Sequence, residues 1–181
     1  MTTVQTILEI LKYTIPAIIV LIATATIVKK FLVNETERKR LSIFKEGMDT
    51  TLRFRLQAYE RLALYMERIH PRVLIPRVYI TGMTTRDLQT ELIQAIRVEY
   101  EHNLSQQIYV SAQVWKTVQS VKEQEMAMIN QVASMLDPES SAKELHQRMI
   151  DFIVSNENDL PVEVALDVIN NEAKLVLSHQ G

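Results

Sequence analysis

Cysteine is absent from all 181 residues, and the chain holds only three glycines and five prolines. The missing thiols exclude a disulfide framework, thiolate zinc and thiol catalysis, and leave the compartment open. Scarce glycine removes the residue that tight β-turns and phosphate-cradling loops need at positive φ, which argues against an all-β sandwich or a nucleotide loop. Neither sign of charge dominates, since 20 Lys+Arg face 22 Asp+Glu for a formal net charge of −2. Hydrophobic residues make up 47% and charged residues 23%, the balance of a chain that buries a core. Its length suits one domain of ordinary size.

What the sequence does have is one long apolar run. Tyr13 to Val28, YTIPAIIVLIATATIV, contains no charged residue. At the helical rise this covers ~24 Å, slightly less than a hydrocarbon core of ~30 Å. Val4, Ile7, Leu8, Ile10 and Leu11 extend it on one side, and Phe31, Leu32 and Val33 on the other. Lys12, Lys29 and Lys30 stand at its edges, where long basic side chains reach headgroups and lengthen the effective span. A membrane anchor over residues 1–33 is therefore expected rather than a buried core helix. Ala23-Thr24-Ala25 has the small-x-small form of a signal-peptidase site, but apolar residues follow it directly. Only Glu9 and Lys12 precede the run, which lacks the basic start of a secretory signal, so the anchor is read as retained. Lysine and arginine are concentrated after the span, at Lys29, Lys30, Arg38, Lys39, Arg40 and Lys45. The positive-inside rule then places the N-terminus outside and residues beyond about 34 in the cytoplasm. Glu35 and Glu37 dilute this cluster, which favours a solvated flank over a lipid-binding patch.

The rest of the chain reads as helices. Leu41, Phe44, Met48, Leu52, Tyr59, Leu62, Met66 and Ile69 recur at three- and four-residue steps and predict a long amphipathic stalk helix over 34–70. Pro71, Pro76 and Gly82 mark 71–83 as a connection, whose VLIPRVYI stretch is expected to be extended. Residues 84–181 are expected to form helices that pack with the stalk. One begins at Thr84 or Thr85 with Asp87 in its first turn. A second covers about Ser105 to Leu136, and a third opens at a Ser141-x-x-Glu144 capping box. A fourth opens at Asn158-Asp159-Leu160-Pro161. The expected class is all-α: one N-terminal transmembrane helix running into a long amphipathic helix, followed by a cytoplasmic helical bundle. Residues 34–80 hold ten Lys/Arg and six Asp/Glu, net +4, whereas 81–181 hold seven and fifteen, net −8. The two segments should attract each other, within one chain or between chains.

Chemistry-bearing motifs are few. Glu67-x-x-His70 and Glu99-x-x-His102 have the spacing used in di-metal carboxylate bundles. Glu67, however, lies ~120° from its helix's apolar stripe and His70 precedes a proline, so no metal site and no cofactor are expected. The arginines of RFRLQAYER face different sides of one helix, which argues against nucleic acid as a partner. No nucleophile elbow or glycine cluster is present, and no catalytic residue or small-molecule substrate is identified. One feature is sharper. Arg55 and Glu99 each fall in the middle of an apolar stripe. If 70–84 closed a simple antiparallel hairpin, both would lie ~21 Å from the turn. A structural Arg55–Glu99 ion pair in the helical core is therefore expected, the alternatives being that both charges reach solvent or a partner chain.

The segments Arg55-Leu-Gln-Ala-Tyr-Glu-Arg-Leu62 and Arg97-Val-Glu-Tyr-Glu-His-Asn-Leu-Ser-Gln-Gln-Ile-Tyr-Val-Ser111, with Trp115 just after, resemble an uncharacterised family of bacterial single-span proteins. The similarity of pattern runs from the span to Leu160-Pro-Val-Glu-Val-Ala-Leu166. It implies a bacterial inner-membrane location and carries over no functional residue. The expected function is a non-enzymatic accessory or scaffold subunit of an inner-membrane complex. The alternatives are a tether that recruits a soluble cytoplasmic partner, and an enzyme with an unrecognised site. The lipid bilayer is one partner, and self-association with Trp115 buried is another expectation.

Overall fold

A computed structural model of the chain describes residues 3–155 and 160–178. The described residues contain six α-helices and no strand: α1 Thr3–Ile69, α2 Pro71–Val78, α3 Thr85–Asn103, α4 Ala112–Ala133, α5 Ala142–Ser155 and α6 Pro161–Ser178. A 3-10 turn at Leu104–Ile108 separates α3 from α4. The all-α class is as expected. Contacts divide the chain into two compact units, residues 1–50 and 51–181.

In the first unit, the most apolar 18-residue window of α1 has a mean hydropathy of 2.0, and none of it is buried. The helix is long and apolar enough to cross a membrane. Two of its hydroxyls are bonded within the helix: Thr14 Oγ1 donates to Ile10 O at 3.0 Å and Thr26 Oγ1 to Ile22 O at 2.7 Å. A hydroxyl bonded to its own helix presents mainly its methyl group outward, which suits an apolar surface. Asn34 lies inside α1, and the helix does not break there.

The second unit is built around the last turns of α1. Tyr59, Leu62, Tyr65, Met66 and Ile69 are all buried, at spacings of three and four residues. They pack in one cluster with Leu74 and Ile75 of α2, Leu88, Leu92 and Ile96 of α3, Val114, Val118 and Ile129 of α4, Leu145 and Met149 of α5, and Val162, Ala165 and Ile169 of α6. α3 lies against α2, α4 and α5, while α4 lies against α5 and α6.

Two expected boundaries are corrected. The segment expected to be extended over 71–83 contains α2. Pro71 occupies its first position, where a missing N–H costs nothing, and His70 Nδ1 accepts from Arg72 N at 3.1 Å to cap it. Burial of Leu74 and Ile75 on one face then favours the helix over a strand that would have no partner. The connection that remains is short, and Gly82 supplies its left-handed residue at φ 98°. The helix expected to begin near Ser105 instead begins at Ala112, because Ser111 Oγ caps it by accepting from Val114 N at 3.2 Å.

Helix starts are also laced together. Thr84 and Asp87 form a full capping box on α3. The next free donors of α3 reach the α4–α5 loop: Thr85 N donates to Ser140 O at 2.8 Å and Arg86 N to Pro138 O at 3.1 Å. Ala142 N returns a bond to Met83 O at 3.1 Å, tying the start of α5 to the start of α3. Ser141 caps α5 through Lys143 N at 3.4 Å rather than through the expected bond to Glu144. Asn158 and Asp159, expected to open α6, lie outside the described residues; Leu160 and Pro161 do precede and begin it.

Candidate functional site

The expected ion pair between Arg55 and Glu99 is not present among the described residues, because each has other partners. Arg68 Nη2 lies 2.7 Å and Arg77 Nη2 3.6 Å from Glu99 Oε1. Arg68 is 13 residues beyond Arg55, ~20 Å along a helix. The hairpin register failed because α2 intervenes between α1 and α3, so Ile69 does not face Thr85 across a simple turn. Both bridges still join the basic 34–80 segment to the acidic 81–181 segment, as the charge asymmetry implied.

Arg55 instead anchors a half-buried polar network. Its Nε donates to Tyr109 O at 3.2 Å and its Nη2 to Tyr59 Oη at 3.0 Å. Tyr59 Oη in turn donates to Glu172 Oε1 at 2.6 Å. Ser111 N donates to the same oxygen at 3.0 Å, and Ser111 Oγ donates to Glu172 Oε2. One carboxylate thus receives three donors, while Arg55 also satisfies a carbonyl of the turn that Ser111 closes. Phe54 stacks on Tyr109 at 5.8 Å and packs the outer side of that turn. The network joins the end of α1, the start of α4 and the last turns of α6, which are far apart in sequence.

Its electrostatics follow from these contacts. Burial alone would raise the Glu172 carboxyl, but hydrogen bonds from Ser111 and Tyr59 and the positive charge of Arg55 outweigh it and hold it below the usual carboxylate range. Burial and the bond to Glu172 push the Tyr59 phenol up, against the pull of Arg55. The raised phenol and the lowered carboxyl keep Tyr59 neutral and Glu172 charged at neutral pH, so the network is an ionic lock.

The other highlighted residues have structural places. Burial lowers His70, with Arg72 acting in the same direction, so it caps α2 as the neutral imidazole. Trp115 is 9% exposed and stacks on Tyr100 at 5.6 Å, so the chain itself covers it without a second copy. Among the described residues no group of three or more His, Asp or Glu side chains is arranged to hold a metal ion. In the first unit Lys12, Lys29 and Lys30 are exposed on α1. Lys12 and Lys29 are ~26 Å apart at the helical rise, on the scale of a bilayer's apolar layer.

One buried acid escaped the sequence reading. Glu125 of α4 is 2% exposed, and its Oε2 has no hydrogen-bond partner among the described residues. Burial pushes its carboxyl up to about 7. Its position was legible, four residues before Ile129 and four after Val121, in the middle of a buried stripe.

The fold and these sites define an all-α protein with one exposed apolar helix and a helical unit held by an internal ionic network. The chain belongs to the family of unknown function DUF7935, whose model matches residues 5–176. Neither the curated proteins nor the solved structures contain a match.

Proposed function

We propose that this chain is a non-enzymatic, single-span protein of the bacterial inner membrane, acting as an accessory or scaffold subunit of a membrane complex. Its N-terminus lies outside, and residues beyond about 34 lie in the cytoplasm, as the lysine and arginine bias requires. Support comes from an apolar helix with basic edges, joined in one chain to a helical unit that has its own core.

The observation that carries the partner role is the stripe beyond the span. Leu41, Phe44 and Met48 are 62%, 66% and 43% exposed, although their spacing is that of a buried helix face. A helix stripe of this kind is used by pairing with another helix, in a second copy or in a different subunit. Purification in mild detergent, with a photo-crosslinking residue at Phe44, tests this. The reading expects a crosslink to a second copy or to a membrane protein that survives high salt. A soluble partner lost in salt would favour the tether. A single uncrosslinked chain at micromolar concentration would contradict the reading.

A further inference from the structure

Among the described residues, the carboxylates buried or half-buried in the second unit are compensated, with one exception. Glu172 has three donors, and Glu99 has two arginines. Glu125 has none of this, although it is among the least exposed charged residues of the unit. Lys122, one turn earlier on α4, sits 4.3 Å over the Tyr100 ring and pairs with Glu123 at 2.8 Å. On α1, the Tyr65 phenol feels the charge of Glu125 and is itself buried with no hydrogen-bond partner among the described residues. An isolated carboxyl in apolar surroundings is expensive, and packing alone would favour leucine or methionine there.

Glu125 also lines a cleft. The space, about 300 Å³, lies between α4, α5 and the start of α6. Its walls include Met128 of α4, Phe152 and Ile153 of α5, and Leu160, with Gln124 and Gln131 among the polar groups. An apolar cleft at the lower end of ligand-pocket sizes, with a single acid and no cation, has the chemistry of a receptor for a small amphiphile. The missing countercharge fixes the sign of its head group.

We propose that this cleft binds a small amphiphilic cation, with its apolar body against Met128, Phe152, Ile153 and Leu160 and a primary ammonium group donating to the Glu125 carboxylate. The ligand supplies the positive charge that the cleft lining lacks, and apolar contact supplies the remaining affinity. A neutral molecule of the same length gains only the second part, and an anionic one is repelled by the Glu125 carboxylate as well.

Hexylamine, hexanol and hexanoate are matched probes. The full chain, in nanodiscs of zwitterionic lipid and labelled at methionine and isoleucine methyl groups, is titrated with each at pH 8. Saturable shifts at Met128 and Ile153 are expected with hexylamine, about tenfold tighter than with hexanol, and none with hexanoate. Lowering the pH to 5.5 protonates the carboxyl and should weaken hexylamine about tenfold while leaving hexanol unchanged. Glu125→Gln should erase the difference between amine and alcohol. Equal binding of hexanol and hexylamine, insensitivity to Glu125→Gln, or absence of saturable shifts at both methyl groups would each overturn the proposal. If the variant fails to fold, the comparison of the three probes on the unaltered chain decides.

Discussion

Glu172→Ala removes the acceptor on which three donors converge, and its cost can be worked from the geometry. A hydrogen bond to a charged partner contributes about 1.5–3 kcal/mol in a protein interior. Glu172 accepts from Tyr59 Oη, Ser111 N and Ser111 Oγ. The site is only half-buried, so water replaces part of what is lost, and a total near ~3 kcal/mol follows rather than the sum of three full bonds. Glu172→Gln keeps one acceptor oxygen and should cost ~1 kcal/mol. Trp115, the single tryptophan, is a built-in probe of this unit, because it is buried against Tyr100 and reports exposure by its emission. Urea unfolding of the full chain in detergent, followed by that emission, gives the values. The pH dependence has a definite sign. The folded carboxyl is held below its ordinary range, so its contribution is present above the unfolded value of about 4.3 and disappears as pH falls through the folded one. The unaltered chain and Glu172→Gln should therefore converge in acid. A Glu172→Ala variant within ~0.5 kcal/mol of the original, or purely additive with Tyr59→Phe, would refute the reasoning.

Arg55→Lys should cost ~1 kcal/mol by the same assay, since an ammonium cannot present the planar fork that serves Tyr59 Oη and Tyr109 O together. A double-mutant cycle should give no coupling between Arg55 and Glu99, but ~0.5 kcal/mol between Arg68 and Glu99, a small value because Arg68 is 55% exposed. Glu125→Gln should stabilise the unit at pH 8 by about 2 kcal/mol, because the folded acid at about 7 lies above its unfolded value and the chain loses stability as pH rises between the two. Equal stability of the two chains at pH 8 would contradict the buried state of Glu125. Thr84→Ala should lose ~1 kcal/mol as the α3 capping box is broken, measured by thermal unfolding.

How much was legible in the sequence depends on the range of the interaction. Five of the six helices among the described residues follow from local signals: stripes at helical spacing, the proline at Pro161, and Thr84 with Asp87 at the start of α3. Errors arose where two local signals competed. Proline-rich VLIPRVYI reads as extended, yet Pro71 starts a helix that the burial of Leu74 and Ile75 completes. Ser105 and Ser111 are both acceptable caps, and the bonds that Ser111 makes with Val114 N and with Glu172 in α6 distinguish them. Arg55 and Glu99 stand out in the sequence as charges within apolar stripes. Glu125 on α4 and Glu172 on α6 carry the same signal, the latter three residues beyond buried Ile169 and seven beyond buried Ala165. Pairing these charges required the order in which helices pack. No stripe encodes that order, and a single additional helix between α1 and α3 moved Glu99 beside Arg68.

The absence of native cysteine makes topology directly measurable. Thr3→Cys and Gln119→Cys both introduce a thiol at an exposed position on a chain with no background. Each is expressed in bacteria and treated with a membrane-impermeant maleimide, before and after lysis, with the chain recovered from alkali-washed membranes. A single retained span with a cytoplasmic helical unit requires Thr3→Cys to be labelled in intact cells and Gln119→Cys only after lysis. Labelling of Gln119→Cys in intact cells, or release of the chain from the membrane by alkali, would contradict it.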